Sequence, residues 1–68
     1  MPMNVKVIES CANYDKTYSL KAVSIKFDDR DNSLIITTKD GEYIFDNALQ
    51  DFLYEHIFYG KLFSSPYD

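Results

Sequence analysis

The densest group of candidate metal ligands is the run Asp28-Asp29-Arg30-Asp31-Asn32. Carboxylate and amide oxygens are the ligands that a hard cation such as Ca²⁺ prefers. The run lacks the Asp-x-Asp-x-Asn-Gly spacing and the distal Glu of an EF-hand loop, and Arg30 places a positive charge inside it. A solvated hairpin loop therefore explains this run better than a metal site does.

Two side chains could take part in acid–base or nucleophilic chemistry, namely His56 and Cys11, and each is the only residue of its type. The sequence places no Ser, Cys or Asp to form a nucleophile–base pair with His56. No Lys or Arg flanks Cys11 to lower the pKa of its thiol. The two glycines do not form a phosphate-binding loop. We therefore predict no enzymatic activity, no bound metal and no cofactor.

The charge and composition exclude several classes of partner. Eleven acidic residues against seven basic ones give a net charge of −4, so there is no net attraction to nucleic acid or to anionic lipid. No apolar run approaches the ~18–20 residues of a membrane span, and no signal segment opens the chain. A lone cysteine fits a reducing compartment. These features predict a cytoplasmic protein that binds neither nucleic acid nor membranes directly.

The length predicts one small domain, residues 1–63, followed by a short C-terminal tail, residues 64–68. A chain of 68 residues buries only roughly 60% of its unfolded surface, and such domains are usually stabilised by disulfides, a metal or a partner subunit. The hydrophobic fraction is 46%, with six Tyr and five Phe. We expect a well-formed core with apolar surface left over.

Alternating apolar residues in the middle of the chain predict a β-meander. The polar loop 29–32 predicts a hairpin that pairs Phe27 with Leu34 and Ile25 with Ile36. Asp40-Gly41 favours a two-residue turn that pairs Ile36 with Phe45. The apolar face that results contains Val23, Ile25, Phe27, Leu34, Ile36, Tyr43 and Phe45. Residues 5–8 and 17–21 predict further strands, with a bend near Lys21-Ala22 and an open placement for the first strand.

After Phe45 the spacing of apolar residues predicts an α-helix. Leu49, Phe52, Leu53, His56 and Ile57 fall at i, i+3, i+4, i+7 and i+8, which makes one helical stripe. Asp46 or Asn47 would cap the helix and Gly60 would end it. The predicted fold class is α+β, an antiparallel meander of three to four strands packed on one C-terminal helix (ββββα).

The aromatic residues outside that stripe are the candidate functional site. One helix cannot bury two of its sides against one sheet, and contiguous exposed apolar surface usually marks an interaction site. The candidate interface consists of Tyr54, Phe58, Tyr59, Leu62, Phe63 and Tyr67. It predicts a small non-catalytic protein-binding or regulatory module that forms a homodimer or docks on a protein partner. The alternative is that the tail aromatics complete the core.

A second hypothesis uses the acidic residues. A compact acidic protein can occupy the basic cleft of a nucleic-acid-binding or host defence protein, as inhibitors encoded by phages or mobile elements do. The carboxylates would then stand in for phosphates, and binding would weaken steeply with salt. The candidate acidic surface consists of Asp28, Asp29, Asp31, Asp40, Glu42 and Asp46.

Overall fold

The computed structural model describes residues 2–67, which form six β-strands. These residues contain no helix, and therefore no helix that is long and apolar enough to cross a membrane. The strands are β1 (Met3–Ser10), β2 (Asp15–Ala22), β3 (Ser24–Asp28), β4 (Ser33–Thr38), β5 (Gly41–Gln50) and β6 (Ile57–Ser64). The fold class over these residues is therefore all-β, and the prediction of an α+β fold with a C-terminal helix is wrong.

The strands lie in one sheet in the order β2-β1-β6-β5-β4-β3. Every neighbouring pair is antiparallel except β1 and β6, which run parallel with Lys6 opposite Ile57. The first strand, whose position the sequence left open, thus pairs with both β2 and β6. The last strand lies in the interior of the sheet and joins the β1–β2 hairpin to the β3–β5 meander.

The sheet curls strongly, so that strands far apart in its order meet across its concave face. The ring centroids of Tyr18 on β2 and Phe45 on β5 are 5.5 Å apart. Those of Phe27 on β3 and Phe58 on β6 are 5.8 Å apart. Two strands separate the members of each pair in the sheet, which would place them about 14 Å apart if the sheet were flat. The concave face therefore encloses the core.

The core is built from apolar side chains of five strands. Its buried members are Val5, Val7, Ala22, Leu34, Ile36, Phe45, Ala48 and Phe58. On β1 and β4 they alternate with more exposed residues, as a strand with one buried face requires. Each large side chain buried here stabilises the fold by about 1.5–3 kcal/mol.

The first hairpin of the meander has the predicted register, since Phe27 lies opposite Leu34 and Ile25 opposite Ile36. The second register is wrong by two residues: Ile36 lies opposite Tyr43, and Thr38 opposite Gly41. The turn is therefore Lys39-Asp40, and Gly41 follows it with a φ of 131°. A shift of two residues keeps each side chain on its face.

A single residue connects the two edge strands of the sheet. Val23 lies between β2 and β3, and its N–H donates a hydrogen bond to the carbonyl of Thr37 at 2.6 Å. The predicted bend lies just before this corner. Ala22 is buried and Val23 is exposed. The prediction that Val23 lies on the apolar face of the sheet is therefore wrong.

The predicted helix is replaced by the end of β5, a loop and β6. Asn47 has a φ of 53°, and the β5–β6 register shifts between Asp46 and Leu49, which is a β-bulge. The bulge lets Ala48 face the core although Phe45 also does. A Cβ on Gly60 would lie 3.3 Å from the Cβ of Ala48, so Gly60 permits a close approach here and ends no helix.

A matched pair of substitutions on β6 tests this placement. Phe58 is 2% exposed and Phe63 is 69% exposed. We expect Phe58→Ala to lower the free energy of unfolding by about 3–5 kcal/mol, because it leaves a cavity in the core. Phe63→Ala should change it by less than about 0.5 kcal/mol, as exposed substitutions usually do. Urea unfolding measures both values. A larger loss for Phe63→Ala than for Phe58→Ala would exclude an orientation of β6 in which Phe58 faces the core.

Candidate functional site

The most exposed large apolar side chain of residues 2–67, that of Phe52, lies in the loop between β5 and β6 beside two other exposed apolar side chains. Phe52 is 94% exposed, Leu53 70% and Tyr54 58%. We call these three consecutive residues the aromatic loop. Single exposed apolar residues are common on protein surfaces, but a contiguous group is typical of an interaction site.

Asp51 holds one side of the aromatic loop. Its Oδ1 accepts a hydrogen bond from the N–H of Leu53 at 2.8 Å, which is the geometry of an Asx turn. Its Oδ2 accepts a hydrogen bond from the hydroxyl of Tyr59 on β6 at 2.8 Å. The backbone N–H of Asp51 also donates to the carbonyl of Ile57 at 2.8 Å. The base of the loop is thus closed by backbone and side-chain bonds.

The other side of the loop is held by Gln50 and by β1. The Nε2 of Gln50 donates to the carbonyl of Glu55 at 2.9 Å. The backbone N–H of Lys6 donates to the carbonyl of His56 at 3.0 Å. The loop is therefore held by hydrogen bonds on both sides.

The charge state of Asp51 fits this role. The hydrogen bond from the N–H of Leu53, together with that from the Tyr59 hydroxyl, lowers the pKa of Asp51 below its usual value. The same hydrogen bond to Asp51 raises the pKa of Tyr59. At neutral pH Asp51 is therefore ionised and Tyr59 is protonated, which are the states that this pair of bonds requires.

The structure distributes the predicted interface residues over several places. Tyr54 belongs to the aromatic loop. Tyr59 and Phe63 are exposed, whereas Leu62 packs against the core and Phe58 is buried within it. The helix face that grouped Tyr54 with Phe58 does not exist, because Phe58 lies on an inward position of β6.

Tyr67 lies at the opposite end of β5 from the aromatic loop. Its hydroxyl donates to Oδ2 of Asp40 at 2.8 Å, which raises the pKa of Tyr67. Its ring centroid is 6.5 Å from that of Tyr43. A Cβ on Gly41 would lie 2.8 Å from the Cβ of Pro66. Residues 66–67 thus pack against the β4–β5 turn.

The acidic residues are also divided. Asp28, Asp29 and Asp31 lie at or beside the loop that precedes β4. Asp40 lies in the turn that follows β4, and Glu42 lies near the start of β5. Asp28 forms an ion pair with Arg30 at 3.0 Å, and this guanidinium lowers the pKa of Asp28. Asp46 lies opposite Lys61 across β5 and β6. The acidic-inhibitor hypothesis stays a prediction, and no feature of this arrangement favours it.

Within residues 2–67, no three side chains among His, Cys, Asp and Glu come together in a way that could hold a metal ion. His56 is exposed in the loop before β6, and it contributes its backbone carbonyl rather than its ring to the hydrogen bonds described above. Cys11 is partly buried, with its Sγ 4.0 Å from the carbonyl oxygen of Glu9.

Sequence reasoning missed Phe52 and Leu53 because it placed them on a buried helical stripe. Two polar residues carried the signal that could have found them. Asn tolerates the left-handed backbone of a bulge, and Asp readily forms an Asx turn. The helical pattern makes Asn47 a candidate cap and places Asp51 inside the predicted helix, although both residue types also interrupt β-structure in these ways.

Comparisons with protein-family models, with curated proteins and with solved structures gave no match. The function is therefore inferred from the geometry of the aromatic loop.

The lowered pKa of Asp51 predicts how the loop responds to acid. The stabilisation from this carboxylate is present above its unfolded pKa, about 3.9, and is lost as the pH falls through the lower folded value. We expect slow hydrogen exchange of the Leu53 amide to persist from neutral pH past pH 4 and to disappear only below that. The measurement is amide exchange by NMR, corrected for the pH dependence of the intrinsic rate.

Two variants control this experiment. Asp51→Ala removes the acceptor, so exchange at Leu53 should be fast at every pH. Asp46→Ala changes another exposed carboxylate of the same region and should leave Leu53 unaffected. Equal protection of Leu53 in the wild type and in Asp51→Ala would contradict the proposed role of Asp51.

Proposed function

We propose that this chain is a non-catalytic protein-binding module that docks on a different protein through the aromatic loop. The observation that carries the proposal is the position of Phe52, which is 94% exposed at the tip of a loop held by hydrogen bonds. Removing a Phe side chain from water is worth about 1.5–3 kcal/mol. This free energy is not used within the chain and is available to a complex.

The order of the loop favours binding. A flexible loop loses conformational entropy when it docks, at about 0.5–1.5 kcal/mol for each immobilised side chain, and pre-organisation reduces this cost. Asp51 fixes the backbone at Leu53, and the Lys6–His56 bond fixes the far end of the loop. Phe and Tyr are also enriched in the buried centres of protein interfaces.

The shape and charge of the loop favour one kind of partner surface. Three large side chains of the loop are exposed, so the matching surface is a concave apolar pocket. Asp51 and Glu55 flank them, and both are acidic. The complementary pocket is therefore apolar at its floor and carries Lys or Arg on its rim. The apolar contacts supply most of the affinity, whereas the rim charges act mainly on the association rate.

The partner can be captured by a photoreactive amino acid placed in the loop. A benzophenone side chain at position 52 should cross-link to a protein other than this chain in extract from the source cells. The same group at position 63, which is exposed on β6, is the control for non-specific contact. Labelling of the same proteins from both positions would argue against a site in the loop.

Affinity measurements on the captured partner test the role of Phe52. We expect Phe52→Ala to raise the dissociation constant by about 30-fold or more, as a truncated aromatic anchor typically does. Phe63→Ala should change it by less than about twofold, in line with a position outside the contact. Isothermal titration calorimetry gives both values, and equal binding by the two variants would exclude the aromatic loop as the anchor.

Leu53→Asp separates folding from binding. Because Leu53 is 70% exposed, the variant should fold with an unfolding midpoint close to that of the wild type. A charge at the centre of the apolar contact should nevertheless abolish binding, since an unpaired carboxylate would be buried there. Circular dichroism and calorimetry check the two parts, and an unfolded variant would place Leu53 in the core.

A further inference from the structure

One edge of the sheet has unpaired backbone groups. Within residues 2–67, β2 pairs along its whole length with β1 and has no partner strand on its other side. The exposed residues of β2 are Asp15, Lys16, Thr17, Ser19 and Lys21. β4 approaches the C-terminal end of β2 at the Val23 corner, and the rest of this edge is a template for pairing with a further strand.

The hydrogen bond between β1 and β6 shows which groups of β2 are unpaired. The N–H of Lys6 donates to the carbonyl of His56, so Lys6 directs its backbone towards β6. Its neighbours Val5 and Val7 therefore direct theirs towards β2, where they lie opposite Leu20 and Tyr18. The residues of β2 whose backbone N–H and C=O point to the open edge are consequently Asp15, Thr17, Ser19 and Lys21.

The other edge of the sheet is protected by different means. β3 has only five residues, and Lys26 lies at its centre. Short edge strands and edge lysines are devices that hinder strand addition. β2 is longer, and its two lysines lie near its ends, so its centre is open.

We propose that two copies of this chain pair antiparallel through their β2 edges, around a twofold axis at Tyr18. In this register Asp15 of each copy lies opposite Lys21 of the other, and Thr17 lies opposite Ser19. Opposite charges and paired hydroxyls are favourable neighbours across antiparallel strands. The same residues that present unpaired backbone groups thus also carry complementary side chains.

Neighbouring registers lack this complementarity. With the axis at Ser19, Thr17 lies opposite Lys21, and Asp15 lies opposite the apolar Val23. With the axis at Thr17, Asp15 lies opposite Ser19. Three registers pair the outward-directed residues near the centre of β2. Only the axis at Tyr18 places Asp15 opposite Lys21, and the twofold symmetry of the dimer forms this pair twice.

The dimer would gain about eight backbone hydrogen bonds, two for each pair of residues that exchange them. It would also relieve the size limit on a domain of 68 residues, since small domains gain stability from association. The aromatic loop connects β5 and β6, not β2, so this inference does not rest on the proposed function.

The first test uses a proline at the open edge. The N–H of Ser19 points away from β1, so Ser19→Pro leaves the β1–β2 ladder intact but removes a donor from both halves of the dimer interface. We expect the dissociation constant to rise by at least about 30-fold, because two symmetric hydrogen bonds are lost. Ser19→Ala keeps the N–H and should remain dimeric. Analytical ultracentrifugation measures both, with circular dichroism to confirm folding.

The second test reverses charges and does not depend on tolerance of proline. Asp15→Lys and Lys21→Asp each place like charges opposite one another, so each variant alone should dimerise more weakly than the wild type. When the two variants are mixed, both contacts become attractive, and heterodimers should predominate in native mass spectrometry. A wild type that is monomeric at submillimolar concentration, a folded Ser19→Pro dimer, or a mixture without preference for heterodimers would each overturn the proposal.

Discussion

A single layer of β-structure must cover its own apolar face, and this constraint shapes the rest of the molecule. No helix lies over the concave side in residues 2–67, so the sheet curls until side chains from distant strands meet, as Phe27 and Phe58 do. Such curvature needs local breaks in the regular ladder. The bulge at Asn47, the corner at Val23 and the close approach of Gly60 to Ala48 provide them.

The same constraint explains why so much aromatic surface remains outside. The space inside a curled sheet of six strands is small, and side chains such as Phe45 and Leu34 already fill it. Phe52 and Phe63 therefore have no interior position to occupy. What differs between them is their neighbours in the chain. Phe52 is followed by two further exposed apolar residues, whereas Phe63 follows Leu62, which packs against the core. A run of exposed apolar residues distinguishes the aromatic loop from single exposed side chains.

The parts of the fold that sequence reasoning predicted are those set by local alternation. Phe27 and Leu34 are paired as expected because period-two burial and a polar loop specify the hairpin together. The helix was wrong because the bulge at Asn47 breaks the alternation, and the apolar residues that follow then match a helical period by coincidence. Phe52 was consequently assigned to the core. Its exposure depends on the pairing of β6 with β1, which is a long-range contact that no local pattern encodes.

The parallel pairing of β1 with β6 also determines when the molecule can form during synthesis. Lys6 and Ile57 are opposite one another, so β1 is synthesised long before β6, the second of its two neighbours in the sheet. At about 5–20 residues per second, this interval lasts several seconds. During this interval Val5 and Val7, the inward residues of β1, lack the core packing to which Phe58 later contributes. The core can therefore close only after β6 has been synthesised.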